Sequence, residues 1–460
     1  MANATDKWSR ISALKPARDI LRTAGTRASD DTDRLPQLLG ASVAKNRFGE
    51  HLSVQNWFST PESFEPSPIA LELLSRIRDE SVSRRTRAAL EDPSRWLFLD
   101  TETTGLAGGT GTYAFLVGIA WWDAGGLQVE QFFMRDFTEE HSLLHELAAR
   151  IAERSVLITF NGKSFDWPLL ENRFTMTRSI RAPRLAAHLD LLHPARAIWR
   201  LRLGSVRLVE LERRVLDAPR LGWHREDDVD SALIPQIYFD YLRGGVAEPL
   251  ASVVRHNQMD LRGLAALFAR ISAVLTDGEP HAVSSEEALD LFGLSRFLDR
   301  RGEHSRARAA CEHALLTGLP AEFKPQATRE LALLAMRQGD HTRAALLWEE
   351  LLSHPGDTVY ACERLAIHHE RRTRDMPRAA GFARLGLQKL RLIHARPKDV
   401  LTAGRLARLE LSFLHRLRRL EHRVKAISGA DAPLLEPHGP SALPQPLSSR
   451  ARTASARSQI

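Results

Sequence analysis

Cysteine is scarce in this chain: 460 residues hold only Cys311 and Cys362, far apart and without CxxC spacing. That excludes a disulfide framework and a thiolate zinc ribbon, and it suits a reducing compartment. Long apolar runs are missing as well. No stretch of about 18 apolar residues occurs, and the opening MANATDKWSRISALKPARDILR has no apolar core of an export signal, so a soluble cytoplasmic protein without a membrane span is expected. Histidine and cysteine do not gather. His188 and His193 have no further soft ligands at useful spacing, which argues against a zinc centre. An acidic excess is also absent, because 64 Lys and Arg face 57 Asp and Glu. The net charge of +7 suits a polyanionic partner such as nucleic acid without identifying one.

What is present is enough apolar residue, 43%, to bury more than one core over this length. Residues 1–90 mix Ser, Thr, Pro, Arg and Asp with little periodicity and are expected to be a partly ordered lead-in, with short helices near RDILRT and IALELLSRIRDE. From Trp96 the pattern turns to strand-length apolar segments: WLFLD, TYAFLVGIAWW and LQVEQFFM, separated by TTGLAGGTG and DAGG. A helix follows with Leu143, Leu144, Leu147 and Ile151 on one face. SVLITF forms a fourth strand, a helix starts near Phe165, HLDLLH is a fifth strand, and helices begin near Ser205, Pro235 and Pro249. The expected fold over 91–275 is α/β, a mixed five-stranded sheet flanked by helices.

Beyond about residue 280 strand patterns stop. RRGEHSRARAACEHAL, MRQGDHTRAALLWEEL and RRTRDMPRAAGFARLGL form a loose repeat in which Arg306, Arg343 and Arg378 align, close to the 34-residue period of tetratricopeptide helix pairs. An all-α repeat domain over 281–428 is expected, offering a surface to a protein partner. Its last helix carries Leu406, Leu409, Phe413, Leu417, Leu420 and Val424 on one stripe with arginines elsewhere. Residues 429–460, rich in Pro, Ser and Arg, have the composition of a disordered tail.

The chemistry lies in LFLDTETTGL. Asp100 and Glu102 are two apart on a strand, so both project from the same side where the apolar run ends. Two buried like charges need a cation between them, and hard oxygen donors favour Mg²⁺ or Mn²⁺. A third acid, Asp166, opens a helix after a strand, where α/β sheets place their sites, and a fourth, Asp260, follows His256 by one helical turn. Each alone has a bland explanation, a helix cap for Asp166 and a surface pair for His256 and Asp260. Together the four carboxylates can surround two metal ions with His256 as a general base, an arrangement suited to phosphodiester hydrolysis. GGTGT fails as a phosphate loop because no GK[ST] follows. Arg196, Arg200, Arg202 and Arg207 form a basic run able to track a phosphate backbone.

FLDTETTGL, FNGKSFDWPLLENR and HNQMDLRGL resemble the three exonuclease motifs of the DEDD superfamily, whose fold is ribonuclease H-like, and residues 95–272 are similar to the bacterial YprB-like ribonuclease H-like domain. The resemblance implies that Asp100, Glu102, Asp166 and Asp260 bind the metals and that the substrate is a single-stranded DNA or RNA end, shortened from its 3′ terminus. Thr103, Thr104, Gly105, Asn161 and Lys163 fall where the substrate strand would run, and Asp190 either assists the acids or simply alternates on its strand. His256 stands four residues before the last aspartate, the spacing at which the superfamily usually carries tyrosine. The expected activity is a metal-dependent 3′–5′ exonuclease. The alternative is a nucleic-acid-binding adaptor whose helical repeats recruit proteins.

Overall fold

A computed structural model describes residues 29–59, 67–75, 84–105, 111–277, 285–394 and 400–430. The expected RDILRT helix, most of the glycine-rich turn after Gly105, and the tail beyond 430 lie outside the described residues. The chain divides into two compact units, 1–347 and 348–460.

In the first unit the order is α1 (Ser29–Leu39), β1 (Ala41–Asn46), β2 (Gly49–Ser59), α2 (Pro68–Ser75), α3 (Arg84–Glu91), β3 (Trp96–Thr103), β4 (Ala114–Asp123), β5 (Gly126–Phe133), α4 (Glu140–Glu153), β6 (Val156–Thr159), α5 (Asp166–Thr177), β7 (Ala187–Asp190), α6 (Leu192–Leu203), a four-residue turn α7 (Leu208–Leu211), α8 (Ile234–Leu242) and α9 (Pro249–Asp277). Helices α10 (Ser285–Arg300), α11 (His304–Thr317) and α12 (Lys324–Arg337) follow, and the unit boundary falls within α13 (His341–Leu351).

The sheet has seven strands in the order β1-β2-β5-β4-β3-β6-β7, not the five expected. The two extra strands come from the N-terminal region. β1 and β2 pair antiparallel as a hairpin, and β2 adds to β5. Because β2 is an inner strand, it buries His51 and Ser53 beside Leu52 and Val54, which erases the alternation that marks a strand in sequence. β3, β4 and β5 form the expected antiparallel meander, and β6 and β7 pair parallel to it. The β4–β5 turn needs positive φ at Ala124 (46°) and Gly125 (79°), which is what a two-residue hairpin requires.

β3 is apolar without interruption because both faces of the sheet are covered. Trp96 and Phe98 face a core with Phe268 and Leu261 of α9, whereas Leu97 and Leu99 face another with Leu144, Leu147 and Leu170 of α4 and α5. α4 buries Leu143, Leu144, Leu147 and Ile151, as its periodicity predicts. It is tied to α5 by a buried ion pair in which Arg173 donates from Nε and Nη2 to Glu140 at 2.5 and 2.6 Å, with the guanidinium over the Tyr113 ring. α10 closes on α6 at Gly293, where any Cβ would lie 2.3 Å from the carbonyl oxygen of Ile198. Arg202 is therefore not free for a phosphate backbone: it forks onto Asp290 of α10, both partners nearly buried.

The second unit contains α14 (Thr358–His368), a π-helical turn over His369–Thr373, α15 (Met376–His394) and α16 (Val400–Ala430). Phe413 and Leu420 of α16, flanked by Leu406, Leu409 and Leu417, pack on Ala366, Ala379, Ala380 and Ala383, with Leu387 and Leu390. That is the stripe expected, and the small alanines let the helices approach.

Candidate active site

Even-numbered residues of β3 face α9, so Asp100 and Glu102 continue the row of Trp96 and Phe98 past the end of the apolar core. α9 crosses this end closely because Asp100 pairs with Gly118 on β4, and a Cβ at Gly118 would lie 2.1 Å from the Asn257 side-chain oxygen. Buried Asn257 uses that space: its Nδ2 donates to Asp100 Oδ2 at 2.8 Å, and its Oδ1 accepts from Gln131 Nε2 at 2.8 Å. Odd-numbered Thr101 points to the other side of the sheet and donates to Asp166 Oδ1 at 2.5 Å. Asp166, at the start of α5, thus reaches the strand end from the opposite face.

The turn before α5 is built for this placement. Asn161 adopts φ 69°, and Gly162 leaves room for the Thr159 side chain, which a Cβ would meet at 2.5 Å. Buried Asp190, at the end of β7, accepts the backbone N–H groups of Asn161 (2.8 Å), Lys163 (3.1 Å) and Leu192 (3.1 Å). Its contribution is to fix the turn that aims Asp166.

On α9, His256 is buried and held from behind. Its Nδ1 lies 2.8 and 2.9 Å from the two Asp228 oxygens, and Ser231 Oγ is 3.3 Å from Nε2. Nε2 faces the acids, 3.9 Å from Glu102 Oε1 and 3.7 Å from Asp260 Oδ2. Arg225 sits next to this pair. Its guanidinium bridges Glu212 (2.6 and 2.7 Å), Asp228 (2.8 Å) and Asp260 (2.5 Å). Gly263 makes the room, because a Cβ there would lie 1.9 Å from Glu212 Oε1.

The carboxylates feel one another. Burial, then the charges of Asp260, Glu102 and Asp166, push the Asp100 carboxyl well above the usual range, against the Asn257 hydrogen bond. Burial raises Glu102 to about 8, with His256 opposing and Asp260, Asp166 and Asp228 adding to it. Burial raises Asp166 to about 6, partly offset by the Thr101 hydrogen bond. For His256, burial favours the neutral ring, but the Asp228 hydrogen bond and the charges of Asp260 and Glu102 outweigh it and raise the ring to about 9. All four acids and the histidine therefore converge on one end of β3.

Among the described residues no three of these donors already close around a single point as a finished ion cage. The donor set nevertheless fits a hard divalent ion. Four oxygen acids lie in mutual electrostatic reach, and Asp100, Glu102 and Asp166 are met by no arginine or lysine among the ion pairs of the described residues, so a cation would relieve the repulsion that protonation now absorbs.

Of the expected substrate residues, Thr104 is built into the fold: it is buried, and its Oγ1 accepts the Tyr113 N–H at 3.0 Å. Thr103 Oγ1 donates to the Gly105 carbonyl at 2.9 Å. Asn161 and exposed Lys163 remain at the rim of the turn leading to Asp166. Arg225, Asp228, Asn257 and Thr101 were not anticipated from sequence.

Residues 97–272 match the RNase H superfamily. The matched span runs from β3 to α9 and holds all four acids and His256. Over 346 residues, 74% of this chain and 81% of the relative, the sequence is 28% identical to Uncharacterized protein YprB of Bacillus subtilis (strain 168). The chain therefore carries an RNase H-like domain followed by a helix-rich region, and no described helix is long and apolar enough to cross a membrane.

Proposed function

We propose that the protein is a metal-dependent nuclease, a 3′–5′ exonuclease whose Asp100, Glu102, Asp166 and Asp260 hold two Mg²⁺ or Mn²⁺ ions. The observation that carries this reading is the convergence of four acids at one strand end, three of them without a lysine or arginine partner among the described residues. Bound divalent ions would polarise the scissile phosphate and steady the departing oxyanion. The protein's own part is positional. Asp228 accepts from Nδ1–H and so leaves Nε2 of His256 facing the acids, where the unprotonated ring can take a proton from an attacking water. Beside the Asp228 hydrogen bond, the charges of Asp260 and Glu102 help hold the His256 ring up, so neutralising those two acids would favour the basic form. Arg225 keeps Asp228 and Asp260 in register. Asn161 and Lys163 would line the strand's approach. The helices over 281–428 we take as tetratricopeptide-like, a surface for a protein partner, and the compartment as cytoplasmic.

The adaptor reading draws on a specific observation too: Arg225 already engages Asp260, and the donors are not closed into a cage. The test is incubation with 3′-labelled single-stranded DNA and RNA in Mg²⁺, Mn²⁺ or chelator, beside Asp100→Ala. The nuclease reading expects label release from the 3′ end by wild type alone, stalling on a blocked terminus. Substrates left intact by both proteins, yet bound by both, would establish the adaptor.

A further inference from the structure

Glu370, in the π-helical turn that ends α14, is buried and carries more positive charge than one carboxylate can use. Arg416 donates to it at 2.7 Å and Arg419 forks onto it at 2.6 and 2.8 Å, which already occupies both oxygens. Arg423, one further turn along the same stripe of α16, stands 3.5 Å away, too far for a good hydrogen bond, and is half exposed. The turn then continues through Arg371, Arg372 and Arg374, all exposed, and none of them pairs with a carboxylate among the described residues. Three guanidinium groups thus meet one buried acid, and three more follow on the exposed turn beside it. Holding α16 to the turn needs a single bidentate pair, and each additional like charge within a Debye length of about 8 Å raises the energy of the cluster.

The acids of α16 do not relieve this. Glu410 and Glu421 are engaged by Arg391 and Arg384 of α15. The uncompensated charge faces solvent, in planar forks suited to phosphate oxygens. A protein partner would be expected to need a buried aromatic or aliphatic anchor at the centre of its footprint, whereas the turn between these arginines exposes only Thr373.

We propose that this arginine cluster is a second nucleic-acid surface, on the helical unit and separate from the RNase H-like domain, gripping the phosphate backbone of a single strand without reading its bases. The choice of a nucleic acid as the polyanion rests on the nuclease reading; the surface itself does not. The test uses the full chain in chelator, with anisotropy of a labelled 30-nucleotide strand measured across a salt series. Replacing Arg371, Arg372 and Arg374 together by Gln should weaken binding at least about tenfold and make the log K against log salt slope shallower by about 2, at roughly 0.7 per lost phosphate contact. Cleavage of a four-nucleotide substrate in Mg²⁺, which has too few phosphates to occupy a second surface, should be unchanged. Arg423→Gln alone, at a half-exposed site with little to lose in folding, should lower the slope by about 0.7.

Unchanged affinity and slope in both variants overturn the proposal. Equal competition by poly-glutamate, lost in the same variants, would reassign the surface to an acidic protein. A protein that cleaves nothing but shows the slope change refutes the nuclease reading and leaves this one standing.

Discussion

Two sets of acids in the first unit are handled in opposite ways. Glu140 and Glu212 each receive a forked guanidinium, from Arg173 and Arg225, and the pairs tie one element to another. Asp100, Glu102 and Asp166 are half-buried, yet their nearest partners are an asparagine amide, a histidine and a threonine hydroxyl. Acids of the first kind belong to the scaffold. Acids of the second kind keep a repulsion that removal of one charge would ease, and a protein has little reason to retain that unless a ligand supplies the missing cation.

Substitution should separate the two sets cleanly. Asp100→Asn should reduce label release from a 3′-labelled strand by about 10³-fold or more while leaving the melting temperature unchanged or raised. Arg173→Met should do the reverse, lowering stability by about 3–5 kcal/mol in urea titration because Glu140 is left buried and unpaired, with the rate per folded molecule preserved. A variant of Asp100 that unfolds, or of Arg173 that selectively kills activity, would erase the distinction.

Asp228→Asn sharpens it further. An amide can donate to Nδ1 and so leave the proton on Nε2, the nitrogen that faces the acids, so kcat should fall about 10²-fold with KM little changed, and Asp228→Glu should recover part of the loss. Millimolar Mg²⁺ or Mn²⁺ should raise wild-type stability by about 1–3 kcal/mol in thermal melts, and the gain should vanish in Asp100→Asn. The smallest effect concerns a scaffold histidine. Burial holds the His51 ring at about 4, against 6.5 in an unfolded chain. As pH drops from 6.5 to 4 the unfolded chain takes up a proton that the folded chain refuses, so stability is lost across that window, on the order of 2 kcal/mol for this ring. His51→Gln should flatten that slope, measured by denaturant midpoint against pH.

The four converging acids were legible because each sits on a regular element or at its start. The alternation of β3 put Asp100 and Glu102 on one side, and the helical turn of α9 put His256 beside Asp260. The residues that support them were not, because they depend on contacts far apart in sequence. Arg225 and Asp228 lie in a segment of turns between Asp217 and Leu233, without a period to interpret. Asn257 acquires its role only when α9 is known to cross β4 at Gly118. One signal was available: a lone glycine inside the apolar strand AFLVGIAWW marks a close approach by something. The hairpin of β1 and β2 escaped for a different reason, since an inner strand with a buried histidine and serine has no polar face to alternate with.

Gly293 closes α10 onto α6, and Leu294, Phe297, Leu298, Ala307 and Leu334 belong to the same apolar cluster as Trp96 and Phe98 of the sheet. Trimming the chain near residue 280 would therefore strip a wall from the RNase H-like domain and leave Arg202 without its carboxylate. The first helices after α9 are inherited with the sheet, and exchanging the helix-rich region for that of another protein would have to begin downstream of them.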